Sequence, residues 1–313
     1  MTDARNRIAT LAASGPHYVC FSQHVRDAHA KHYFGIPDSQ VRLIRHAPIE
    51  CGAPEQEQSS QHALRSYLER RFTTANAGTG IERQHVYPYL NSLDLPNIPY
   101  LFVSTQIRPY KNMLRLVAAV ERLIRDHHIN IKLITTGTMA FADKSAEVAQ
   151  MVLKQALWFD VISIPRVPSD IHRLLYRFAA LTIHPSFFEG GFPFVFSESV
   201  GVGTPCLLAR NAAVSEIFPD KDTSAITFDP YLSPDGLAMT IKDALANRAE
   251  ILRQERAILD RMAARSWSDV AFEYMEVFRA AAGETEHHGS SNRIRPKMLD
   301  RSYEHEPASA PHG

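Results

Sequence analysis

From Ile98 onward, short apolar runs alternate with longer amphipathic stretches, and this alternation constrains the fold more than any other feature of the chain. Tyr100–Ser104, Ile131–Thr135, Val161–Ile164, Leu181–His184 and Cys206–Leu208 are mostly apolar, as expected of strands covered on both faces. Between the first two, Leu114–Asp126 carries Leu116, Val117, Val120, Leu123 and Ile124 at helical spacing. Ser145–Leu157, Ser169–Arg177 and Phe196–Val202 fill the later intervals as helices, and Pro234–Ala246 and Ala249–Ala264 follow. Asp170, near the start of its helix, suits the positive end of the helix dipole. Strands separated by helices pair in parallel through crossover connections. The pattern therefore predicts an α/β fold, a Rossmann-like doubly wound parallel sheet, over residues 98–280. Such sheets bind ligands outside the carboxyl ends of their strands, so the loops that follow strands carry the functional question.

The flanking segments read differently. Within residues 1–50, Tyr18–Phe21 and Val41–Ile44 are predicted strands around a helix from Gln23 to Tyr33, with Ser22 placed to cap it and Gly35 and Pro37 to stop it. Two strands and one helix cannot bury a core alone, so they belong to something larger. Residues 51–97 are the least regular internal stretch. A polar turn leads to a helix at Gln61–Phe72, then to the small residues Thr73–Gly80, and the whole reads as an insertion or linker. Residues 281–313 are rich in Glu, His, Ser, Pro and Arg and read as a disordered tail.

Composition narrows the class of function. Among 313 residues, 34 Lys and Arg balance 34 Asp and Glu, so bulk charge gives no case for a nucleic-acid partner. No aromatic–basic stripe supplies one locally. No apolar run is long enough for a transmembrane helix, and the start of the chain, Met1-Thr-Asp-Ala-Arg-Asn-Arg, has no apolar signal-peptide core. Cytoplasmic residence is the resulting expectation. Cys20, Cys51 and Cys206 form no CxxC pair, which indicates neither a disulfide framework nor a zinc site, and no metal is expected. Cys20 and Cys206 fall inside strand runs, where a thiol acts as a small hydrophobe.

The most informative stretch starts at the end of a predicted strand: His184-Pro-Ser-Phe-Phe-Glu-Gly-Gly-Phe-Pro-Phe-Val-Phe-Ser-Glu198, continuing to Gly203-Thr-Pro205. Gly190 and Gly191 allow close backbone approach to a ligand. The helix start that follows offers unpaired N–H groups to a phosphate, and Glu189 and Glu198 offer acceptors to hydroxyls. The geometry suits a nucleotide-containing ligand. The plainer reading, in which the glutamates cap and solvate helices and the glycines only turn the chain, weighs equally on these residues alone. A second loop, Thr105-Gln-Ile-Arg-Pro-Tyr-Lys-Asn112, follows the first strand of the domain. Arg108 and Lys111 are suited to phosphate oxygens, and a solvated basic loop is the even alternative. Gly137 reads as a strand-to-helix turn.

Taken together these segments resemble a retaining GT-B glycosyltransferase of family 4, the glycosyl transferases group 1. Glu189 through Glu198 with Gly203-Thr-Pro205 resembles that family's signature, TQIRPYKN its phosphate loop, and Pro165–Tyr176 the link before the signature. Ser266-Trp267 and the helix to Arg279 resemble its closing segment, and Val19–Val25 through Gly35-Ile-Pro37 and Leu43-Ile-Arg-His46 the end of its first domain. The resemblance implies a GT-B fold with an incomplete first domain: a remnant of the acceptor domain at 1–50 and a donor-binding domain at 98–280. It also implies sugar transfer with retention, from a UDP-, GDP- or ADP-linked sugar to a glycan or lipid-linked acceptor, without a bound metal or other cofactor. Glu198 would bind the donor ribose, Glu189 would act at the transferred sugar as the catalytic residue, and Lys111 with Arg108 would hold the diphosphate. Amides around Gly190, Gly191 and Phe192 would support the leaving group. The spacing from Glu189 to Glu198 is one position longer than usual, and Gln106 stands where the family's phosphate loop has Arg. No residue matches the histidine that the family's first domain supplies. The chain is accordingly expected to need a complementing first domain or a second copy, and to allow peripheral membrane contact. The alternative is a catalytically incompetent nucleotide-binding or partner subunit with the same fold.

Overall fold

A computed structural model describes residues 17–51, 57–73, 92–139, 145–218 and 223–283, with Tyr89 and a few isolated positions before residue 17. Its centre is a six-stranded sheet of β3 (Tyr100–Val103), β4 (Lys132–Thr135), β5 (Val161–Ser163), β6 (Leu181–His184), β7 (Cys206–Ala209) and β8 (Thr227–Phe228). All of its pairings are parallel, in the spatial order β5-β4-β3-β6-β7-β8. The chain winds outward from β3 through β4 to β5, then returns to the other side of β3 and winds outward again through β7. The reversal lies between the neighbouring strands β3 and β6.

The predicted strands and the long helices are present. The helix at Met113–Arg125 buries Leu116, Val117, Val120 and Leu123, the face that the periodicity marked. It packs against Pro234–Ala246, while Arg248–Met262 packs against Phe194–Gly201. The Phe194–Gly201 helix begins ahead of the predicted Phe196 because Pro193, which has no N–H to leave unpaired, sits at its N-cap. Ala212–Ile217 is a helix without a sequence prediction, capped by Asn211, whose side chain accepts the Val214 N–H. β8 is too short to print an alternation and escapes pattern reading.

The helix at Glu57–Thr73 is longer than predicted and seats Leu64 and Leu68 in the main core. Its Arg65 makes two hydrogen bonds, of 2.7 and 2.9 Å, to Asp94. Most of the expected loop at 73–80, and the expected tail from 284 on, lie outside the described residues.

Near the N-terminus, β1 (Tyr18–Cys20) and β2 (Val41–Leu43) form a separate parallel pair around a π-helical turn at Val25–Tyr33. Ser22 Oγ accepts the Val25 N–H at 3.2 Å, the capping role its position suggested. A small cluster of Cys20, Ala30, Ile36 and Val41 holds this unit together. It is tied to the larger body at several points. Arg45 donates to Glu216 (2.7 Å), Arg265 to the Arg45 carbonyl (2.7 Å), and Trp267 Nε1 to the Pro48 carbonyl (3.0 Å). The Ile49 N–H reaches Ser197 Oγ at 3.1 Å. A cavity of about 360 Å³ opens at this seam, walled in part by Phe21, His46, Phe192 and Arg261. No described helix is long and apolar enough to cross a membrane.

Candidate active site at the sheet reversal

Because β3 and β6 are neighbours, the loops that leave their carboxyl ends run side by side. The Phe187 N–H donates to the Tyr110 carbonyl at 2.8 Å, which locks the two loops together. The β3 loop then makes a tight turn at Pro109–Lys111 and passes through Asn112 at φ 55°, a left-handed conformation that Asn tolerates better than most residues. Asn112 Nδ2 and Arg115 Nη1 both donate to the Pro230 carbonyl, at 3.0 and 2.7 Å, and so pin this turn to the loop after β8.

The turn points Lys111 across the reversal. Its Nζ lies 2.6 Å from Glu189 Oε1, and His184 Nε2, at the end of β6, lies 2.7 Å from the same oxygen. All three side chains are largely shielded from water. Burial alone would raise the Glu189 pKa. The hydrogen bond and charge of His184, with those of Lys111, overcome it and hold the group down at about 2. Glu189 is therefore an anion across the physiological range. It can accept hydrogen bonds and stabilise positive charge, but it has no proton to give.

Glu198 lies in the second turn of the Phe194–Gly201 helix and receives the phenolic hydrogen of Tyr176 on Oε2 at 2.8 Å. Burial, reinforced by the Glu198 charge, pushes the Tyr176 hydroxyl well above its ordinary pKa, so it remains a donor. His172, one turn earlier on the same helix as Tyr176, contacts Ser104 Oγ at 2.7 Å. Burial lowers its pKa against the opposing pull of Glu198, which favours the neutral ring.

The other predicted residues sit as follows. Arg108 is half-buried and donates to Gln106 Oε1 at 3.2 Å, so in this arrangement it is not a partner of Glu189. A Cβ built on Gly190 would meet nothing within 4 Å. One on Gly191 would fall 2.6 Å from the Phe21 Cβ, so this glycine accommodates the N-terminal unit. Phe192 is buried beside Phe194 and Phe218, and its ring is a wall of the core. At Gly137 a Cβ would lie 2.9 Å from the Thr105 carbonyl oxygen, so the glycine lets the loops after β3 and β4 touch. Among the described residues no group of three or more His, Cys, Asp or Glu side chains is arranged to hold a metal ion.

Sequence reasoning missed His184 and Tyr176 as site residues. His184 looked like the polar end of a strand. Tyr176 follows Ile171 and Leu175 on the buried face of its helix, and its ring is core; only the hydroxyl serves the site.

Comparison with known proteins gives this geometry a context. A search of curated proteins found no match. Among solved structures, a glycosyltransferase from Rickettsia africae ESF-5 superposes with a TM-score of 0.64 at 13% identity, over 91% of this chain and 68% of that one. The Anabaena protein HepE, in complex with UDP and glucose, gives 0.63 at 15% identity over 89% and 67%. Sucrose-phosphate synthase from Thermosynechococcus elongatus gives 0.60 at 16% identity over 90% and 62%. The chain thus spans about two thirds of the length of these neighbours, and at such identities the likeness speaks for the GT-B fold alone. The family model described as glycosyl transferases group 1 matches residues 92–261, more than half of the chain and the whole of the sheet that carries Lys111, Glu189 and Glu198. The chain belongs to the glycosyl transferases group 1 family.

Proposed function

We propose that the site binds a nucleotide-sugar and serves its transfer, with retention of configuration, to a glycan or lipid-linked acceptor. The observation that carries this reading is the meeting of Lys111 and Glu189 across the β3–β6 reversal, with Glu198 on the helix that follows. A sheet reversal is where doubly wound folds bind nucleotides. In this reading the donor diphosphate displaces Glu189 from Lys111 and takes its ammonium as counter-charge, with Arg108 leaving Gln106 to join it. Backbone N–H groups at Gly190, Gly191 and Phe192 complete the anion hold. Glu198, with Oε2 occupied by Tyr176, keeps Oε1 for a ribose hydroxyl.

Transfer breaks the bond between the anomeric carbon and the phosphate oxygen and forms one to the acceptor oxygen on the same face. The acceptor proton passes to the departing phosphate. Glu189, released from Lys111 and still bonded to His184, stabilises the positive charge that develops on the sugar ring. The His184 hydrogen bond and charge, which hold its pKa down, remain in place and support this electrostatic role over that of a general acid.

Calorimetric titration with UDP, GDP, ADP and their common sugar derivatives tests the reading. Binding selective for one nucleotide, weakened in Glu198→Ala, is the expected result. A folded protein that binds none of them refutes it.

A further inference from the structure

We propose that exposed aromatic side chains around the Lys111–Glu189 pair form a stacking platform for pyranose rings, so that the acceptor is a glycan presenting sugar faces to Tyr110, Phe188 and Tyr231. Identifying the bound glycan as the acceptor rests on the donor-site reading above. The platform itself rests on the arrangement of the rings.

Tyr110 and Phe188 immediately precede Lys111 and Glu189, and both are exposed, at 47% and 43%. Tyr231, from the loop after β8, is 71% exposed and stacks on Phe187 with ring centroids 5.2 Å apart and planes at 30°. Single exposed aromatics are ordinary on a protein surface, but here three stand on the loops that build the site or are pinned to it.

Their neighbours fix the rings in place. Arg115 lies 5.6 Å from the Phe187 centroid, and Lys111 Nζ 5.3 Å from that of Tyr110. His29 meets Phe188 edge-on at 5.6 Å. The Tyr231 N–H is held by Asp229 Oδ1 at 2.8 Å, which braces the loop that carries the outermost ring. Binding to such a surface needs little further ordering of side chains.

The chemistry selects the occupant. A pyranose has a face of polarised C–H bonds that suits the negative face of an aromatic ring, and a rim of hydroxyls that needs polar partners. The platform supplies both, because Arg115 and His29 stand beside its rings. An acyl chain would favour an apolar groove free of cations. Exposed rings on three loops, at Tyr110, Phe188 and Tyr231, favour a glycan of several rings over a monosaccharide.

Saturation-transfer NMR on the full chain, with maltotetraose and cellotetraose as probes, tests the proposal with and without UDP. Transfer to ring C–H protons is expected for at least one tetrasaccharide. Affinity should drop about three- to tenfold in Tyr231→Ala and in Phe188→Ala, the loss of one exposed stacking contact. Tyr231→Phe should keep it, and Tyr231→Ala should bind UDP as the parent chain does. No transfer to either tetrasaccharide from a protein that circular dichroism shows folded overturns the proposal. So does transfer that both alanine variants leave unchanged, or loss in those variants of UDP contacts without loss of tetrasaccharide contacts. A chain that binds the tetrasaccharides through Tyr231 but binds no nucleotide refutes the donor reading and leaves the platform in place.

Discussion

Tyr176 and Glu198 sit on successive helices on either side of β6, and their 2.8 Å hydrogen bond fixes which carboxylate oxygen faces the core and which is left for a ligand. Tyr176 itself cannot swing away, because its ring is buried edge-on against Phe102 with centroids 4.7 Å apart. Tyr176→Phe keeps the packing and frees the carboxylate to rotate. Nucleotide affinity should fall by about 1 kcal/mol, roughly fivefold. If Glu198 acts on ribose, the loss should disappear when titrations use the 2′,3′-dideoxy nucleotide. An equal loss for both ligands would place the effect elsewhere.

Removing the ammonium of Lys111 leaves the Glu189 carboxylate half-buried with His184 as its remaining partner. Lys111→Met should cost about 1–3 kcal/mol of stability, between the ranges for exposed and fully buried pairs. It should weaken nucleoside diphosphates about tenfold or more while barely affecting the nucleoside. Thermal denaturation and parallel titrations with diphosphate and nucleoside separate the two effects.

Two carboxyls should give opposite pH signatures. Glu189 has its folded pKa depressed from 4.5 to about 2. Its stabilisation is therefore complete above the unfolded value and lost as pH falls from 4.5 toward 2, with an upper bound on the order of 3 kcal/mol. Glu255 is the reverse. It is fully buried, receives the Cys206 N–H, and burial raises its pKa well above 4.5. Any stability that its protonated form provides is present below the unfolded pKa and lost as pH rises through the folded one. Melting curves should show the deficit of Glu189→Gln shrinking in acid. Those of Glu255→Gln should show a relative gain that grows as pH rises above about 4.5.

The adjacent glycines should behave differently. Gly190→Ala adds a methyl to open space and should leave the melting temperature unchanged, so any loss of nucleotide affinity would report directly on a ligand passing close to the backbone. Gly191→Ala drives a methyl into Phe21 and should cost about 1–3 kcal/mol, as overpacking does.

The sheet was legible because each strand from β3 to β7 prints a short apolar run and each intervening helix an amphipathic face. β8 was not, since a two-residue strand carries no period. Lys111, Glu189 and Glu198 were legible as candidates because they follow strand ends. Their mutual distances depend on β3 and β6 being neighbours, and that is a property of winding order which no local window contains. His184 and Tyr176 were hidden for a different reason. A side chain that is core for most of its length gives a hydrophobic signal, and one polar atom at its tip does not alter it.

The close approach of Gly191 to Phe21 makes the earliest and the central parts of the chain a single mechanical part. The signature loop is shaped on one side by its own strand and on the other by a residue 170 positions earlier. A chimera that borrows only the sheet domain from a relative would inherit a loop fitted to a foreign surface. Recombination within this family should therefore succeed at junctions that carry residues 18–51 along with the loop, and fail at those that divide them.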